Sequence, residues 1–238
     1  AEQATVGSFI EDPTLPRYGR MGVDGKGYVW FPIGHQALLV PAMAIAARCD
    51  SAWPDVEERF RALKNDPLRG QFFWERFFGS FLSPLAAAGS VVGLLVLVLA
   101  LGARPRDALL AVGVTALCTQ FWPGSRETLS DMPGTFFLIA CAAGVARYAR
   151  HQDGGSLLLA GLLGGLGVLV RYPQALPLLG LGAWAAWETL RRRRPADLLW
   201  FIAGGLPAVA LLVHANRVRF GDPGETGYSG GVGWFSYP

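Results

Sequence analysis

Apolar residues in this chain come in long blocks, and the charges are bunched between them. No charged residue occurs from Phe77 to Ala103. As a helix, that run reaches across the roughly 30 Å of a bilayer's hydrocarbon. Five further apolar segments follow: Ala108 to Trp122, Met132 to Ala146, Gly154 to Val170, Gln174 to Trp187 and Leu198 to Asn216. Several are shorter than the roughly 20 residues of an ideal span. Flanking loop residues, or arginines whose aliphatic stems reach back to the interface, make up the length. Glycine is dense within them, as in Gly161, Gly164, Gly165 and Gly167. In lipid, small residues let helix backbones approach closely, so these positions predict helix packing. The pattern predicts an all-α polytopic bundle of about six spanning helices, because only helices and closed barrels satisfy their backbone in hydrocarbon.

The first 80 residues differ. Residues 1–26 read as a loop rich in Gly, Pro and charge. Tyr28 to Ala47 is apolar but interrupted by Pro32, His35, Gln36 and Pro41, which predicts an interfacial or re-entrant helix rather than a span. The stretch from Phe72 to Phe78 mixes aromatic rings with Glu75 and Arg76, as suits a headgroup boundary. The organisation expected is therefore an outer-loop region over 1–80, a bundle over 81–216 and a second outer loop over 217–238.

Composition agrees. Of 238 residues, 52% are hydrophobic and only 16% charged, below the roughly 25% usual in globular domains. The net charge of +3 comes from arginines between apolar segments, with no basic patch suited to nucleic acid. Arg104, Arg106, Arg147, Arg150 and Arg191 to Arg194 make eight in one set of alternate loops, against four in the other: Arg126, Arg171, Arg217 and Arg219. The richer set is expected in the cytoplasm, leaving the 123–131 loop, the Arg171 turn and both ends outside. Cys49, Cys118 and Cys141 have no zinc-like or disulfide-framework spacing. Phosphate-loop, nucleophile-elbow and HExxH signatures are absent.

Polar groups with chemical potential gather on the expected outer side. Arg126, Glu127 and Asp131 share one loop, and the i, i+4 offset of the two carboxylates suits one side of a helical turn. Such a pair can act as base and electrostatic partner or hold a divalent cation. The plainer reading is a solvated loop with Ser130 or Asp131 as N-cap of the next helix. Arg171 ends an apolar run. It matches phosphate by bidentate hydrogen bonding, or else snorkels to the interface. His35 and His214 read as packed histidines.

Three stretches resemble the C-type membrane glycosyltransferases, of the protein-mannosyltransferase-like and aminoarabinose-transferase-like families. Gly27 to Pro41, with Pro32, Gly34, Leu38, Leu39 and Pro41, is similar to the proline–glycine segment of their first outer loop. Ser125 to Pro133 resembles their serine–arginine loop, with its acidic residue and proline before a spanning helix. Leu169 to Tyr172 and Phe220 to Pro238 resemble later segments of bacterial members. Two departures stand out. Many members have His-Pro-Pro-Gly where this chain has Phe31-Pro32-Ile33-Gly34. Their principal catalytic acid follows a first spanning helix and is expected upstream of Ala1, so the chain reads as a fragment, and Glu11-Asp12 does not take that role.

The resemblance implies transfer of a sugar from a polyprenyl-phosphate donor to an acceptor on the outer face of the plasma membrane. Arg126 and Arg171 would bind phosphate, and Asp131 and Glu127 would be secondary carboxylates. The partners implied are the lipid-linked donor and membrane lipids. A transporter or lipid flippase is the rival reading. Its signs would be paired broken helices and mid-membrane charges, whereas the charges here lie at segment ends.

Overall fold

The computed structural model describes residues 19–25, 27–29, 32–56, 58–59, 73–119, 121–125 and 130–225. Each of the six apolar segments forms a helix, so the chain is all-α and of membrane type. In chain order the helices are α1 (Ile33–Ala52), α2 (Phe73–Gly79), α3 (Leu82–Ala100), α4 (Pro105–Cys118), α5 (Phe121–Gly124), α6 (Asp131–His151), α7 (Gly154–Val170), α8 (Ala175–Arg191) and α9 (Leu198–Phe220). Among the described residues, three stretches are long and apolar enough to cross a membrane: Phe73–Ala100, Asp131–His151 and Pro195–Phe220. The helices α4, α7 and α8, at 14, 17 and 17 residues, are shorter.

Helix ends depart from the expected ones for local reasons. The segment expected to run to Trp122 breaks after Cys118, where Thr119 turns extended and caps the next short helix through Phe121 N–H to its Oγ1 (3.2 Å). Helix α6 starts at Asp131 with Ser130 in the N-cap position, but the Ser130 side chain makes no capping bond. The N-terminal loop contains one regular feature not expected from sequence. Strands β1 (Gly19–Met21) and β2 (Gly27–Val29) pair antiparallel.

The bundle is built around α7. It packs on α6 along one side and α9 along the other, and α6 in turn packs on α3. Glycines make these approaches possible. A Cβ at Gly161 would strike the Phe201 carbonyl, and one at Gly204 the Leu158 carbonyl. One at Gly165 would lie 2.9 Å from the Ala208 Cβ, and one at Gly144 2.9 Å from that of Ala160. Gly161 and Gly165 of the glycine-dense run thus lie in the seam between α7 and α9, as small residues do in lipid-embedded helix pairs, while Gly164 and Gly167 face Cys141 and Phe137 of α6. Cys141, Val145, Tyr148, Leu157, Ala160 and Ala185 form the buried core of α6, α7 and α8. Outside it, Leu85, Val92, Leu110, Leu176, Leu179 and Leu206 remain exposed. Only 22% of the apolar window in Phe73–Ala100 is covered by protein, leaving the rest for acyl chains to solvate. Cys118, although within an apolar segment, is exposed, while Cys141 is buried.

Among the described residues, the two sets of loops separate to opposite ends. Helix α6 has 21 residues and so is about 30 Å long. At its His151 end, Tyr148 donates to Asp197 Oδ2 (2.8 Å), Arg150 donates to the Leu99 carbonyl (3.2 Å), and Glu188 takes Arg191 (2.7 Å). Asp153 caps α7 by accepting from Gly155 N–H, and this bond, with one from the Ser156 hydroxyl, holds its carboxyl below the usual range. The arginine-rich loops meet here.

The other end carries Asp131, Arg171 and the end of α9, and α1 belongs to it. Gly34 abuts the Leu169 carbonyl, Leu39 and Met43 lie against Gly79, and Trp53 packs on Trp74 (6.0 Å). Along its length, then, α1 touches the end of α7 and the α2 segment that precedes α3.

Candidate functional site

Loop geometry brings Asp131 and Arg171 together. Asp131 is the first residue of α6. Arg171 follows Val170 at the end of α7, where its extended backbone caps the helix and Tyr172–Gln174 make one 3-10 turn. Consecutive antiparallel helices with a two-residue connection at 152–153 must place these ends side by side. The Arg171 guanidinium forms an ion pair with the Asp131 carboxylate, and the two side chains are 36% and 44% exposed. Solvent therefore reaches the pair, and an anion can approach it. Gly134 supports the arrangement from below. A Cβ there would lie 2.8 Å from Gln174 Nε2, so the turn after Arg171 sits directly on the first turn of α6.

Arg126 and Glu127, expected beside Asp131, lie outside the described residues. So does any cation site that Glu127 would share with Asp131. Among the described residues no three His, Cys, Asp or Glu side chains group as metal ligands.

A second polar group at the same end was not foreseen. Arg219, in the last turn of α9, is 7% exposed and donates from Nη2 to Gln36 Oε1 (2.8 Å) on α1. Its guanidinium lies over the Tyr28 ring, 5.5 Å from the centroid. The Tyr28 hydroxyl donates to Asp24 Oδ2 (2.8 Å), and that carboxylate, with burial, raises the phenol above its usual range. Three residues before Arg219, the buried Asn216 accepts from the Tyr172 hydroxyl (2.9 Å). The hairpin closes the group, with Val23 N–H donating to the Arg219 carbonyl (3.0 Å). The sequence signal was present in Gln36 and Asn216, which are polar residues inside apolar segments. His35 is half-buried, its Nδ1 finds no partner among the described residues, and burial lowers it below the usual imidazole range. His214 is exposed on α9.

Residues 73–215, more than half of the chain, match the family described as dolichyl-phosphate-mannose-protein mannosyltransferase. The chain belongs to this family. No curated protein and no solved structure matches it. The family match begins at the aromatic α2 segment and ends beside Asn216, so it contains the bundle, Asp131 and Arg171. Membership makes the chain a membrane glycosyltransferase of the C type, a family that uses lipid-linked sugar donors.

Proposed function

We propose that this multi-pass protein of the plasma membrane transfers a sugar from a polyprenyl-phosphate-linked donor to an acceptor on the outer face. The observation that carries this reading is the solvent-reachable Asp131–Arg171 pair, at the bundle end opposite the arginine-rich loops. In the reaction the acceptor hydroxyl oxygen bonds to the anomeric carbon as the bond from that carbon to the phosphate oxygen breaks. The leaving lipid phosphate gains negative charge. Arg171, with its planar fork, stabilises that charge, as does Arg126, five positions before Asp131 in the sequence. Asp131 fixes the guanidinium and orients the acceptor, and the hydroxyl proton passes to a carboxylate acting as general base. Glu127 and Asp131 are the secondary carboxylates of this loop. A flippase is less well supported, since Asp131 and Arg171 lie at helix ends and not at mid-membrane.

The outward placement has a direct test. With Cys49, Cys118 and Cys141 replaced by alanine, single cysteines at Ser125 and at Ala196 are exposed to an impermeant thiol reagent on intact cells. Ser125→Cys is expected to label and Ala196→Cys to label only after permeabilisation. Equal labelling, or the reverse, contradicts the orientation.

A further inference from the structure

Two cationic groups stand at this end of the bundle, and their charges are balanced differently. Arg171 is already paired with a carboxylate. Arg219 is more deeply buried, and among the described residues its partners are a neutral amide and an aromatic ring. Taking a guanidinium out of water without a counter-charge is costly, and buried charges are ordinarily paired. Gln36 uses one of the guanidinium's five N–H donors. The Tyr172–Asn216 hydrogen bond ties the turn holding Arg171 to the helix end holding Arg219, so both groups lie at one end of the bundle.

We infer that Arg219, held in place by Gln36, is an anion-binding residue of this site that takes a phosphate oxygen of the lipid substrate. The identity of that lipid rests on the proposed function; the lack of a carboxylate partner for Arg219 among the described residues does not. Arg171 then serves a phosphate only by sharing it with Asp131, whereas Arg219 has no carboxylate partner among the described residues. The alternative role for Arg219 is a clamp that joins α1 and the hairpin to the end of α9.

Gln36→Glu separates the two. It keeps a side chain of the same length against Arg219 but supplies the missing carboxylate. A clamp is unharmed or strengthened by it, while an anion site is filled. The protein is placed in phosphatidylcholine nanodiscs with polyprenyl phosphate or with the uncharged polyprenol, and retained lipid is quantified by native mass spectrometry. The wild type is expected to prefer the phosphate by about tenfold or more. Gln36→Glu and Arg219→Gln are expected to lose that preference, with Gln36→Glu unfolding at or above the wild-type temperature.

A folded Gln36→Glu that keeps the wild-type preference overturns the inference and leaves Arg219 a clamp. If Arg171→Gln then loses the preference, the proposed function stands without Arg219. A wild type with no preference at all overturns the proposed function and this inference together. Displacement of the lipid by an equal concentration of inorganic phosphate would show a free-phosphate site and overturn the lipid assignment.

Discussion

Arg171→Ala is expected to lower sugar transfer by about a hundredfold or more while the protein stays folded and inserted. The two halves of that expectation have different physical origins. The Asp131–Arg171 pair is more than a third exposed on both sides, and a solvated ion pair contributes about 0–1 kcal/mol to stability. Losing it therefore leaves the bundle nearly as stable as before. A charged donor aimed at a leaving phosphate is different. Its contribution grows as charge develops in the transition state, and removing such a donor typically costs about a hundred- to a thousandfold in rate. Arg171→Lys is expected to recover part of the activity, because an ammonium supplies the charge without the planar fork. Initial rates and thermal unfolding in the same detergent check both halves. Wild-type rates for Arg171→Ala would leave Arg171 an arginine that merely reaches the headgroups.

The largest effect on stability is expected at the α7–α9 seam. At Gly161 and Gly204 an added Cβ meets backbone carbonyls of the facing helix, Phe201 and Leu158, and not the movable end of a side chain. Neither helix can yield at one position without separating along the seam. Overpacking a fitted interior costs about 1–3 kcal/mol, and more where backbone must move. Gly161→Ala and Gly204→Ala should each fall at or above the upper end of that range, and Gly161→Leu should give no folded protein. Gly113 and Gly180 are the controls, since a Cβ there would meet nothing within 4 Å. Alanine at either is expected to leave unfolding unchanged or slightly raised. Unchanged or raised stability at all four positions would mean that helix propensity, and not the seam, governs these glycines.

The bundle was legible because its signal is coarse. A run such as Phe77 to Ala103, free of charge, has few alternatives in physics. The glycine run was legible for the same reason, although nothing in its spacing named Phe201 or Leu158 as the backbone it would meet. Segment ends were harder. Pro32 and Thr119 set the boundaries of α1 and α4 through local backbone geometry, which an apolar average over many residues smooths away. The β1–β2 hairpin, with three residues to a strand, is too short to carry a period. Asp131 and Arg171 lie 40 positions apart, yet counting alternate segment ends puts them on one face. The Gln36–Arg219 contact spans 183 positions, and no period or count of ends pairs two such residues. It follows from how the start of α1 meets the ends of α7 and α9, which is a tertiary fact.

The central claim is that the chain moves a sugar and not a whole lipid. Purified protein reconstituted in liposomes, given a polyprenyl-phosphate donor labelled in its sugar and a range of hydroxylated acceptors, tests it most directly. The label is expected to leave the lipid and appear covalently on an acceptor, with free polyprenyl phosphate formed in equal amount and a signal weaker by about a hundredfold or more from Arg171→Ala. Label that crosses the bilayer while still attached to its lipid, with no labelled acceptor and no released polyprenyl phosphate, would contradict it and favour the flippase.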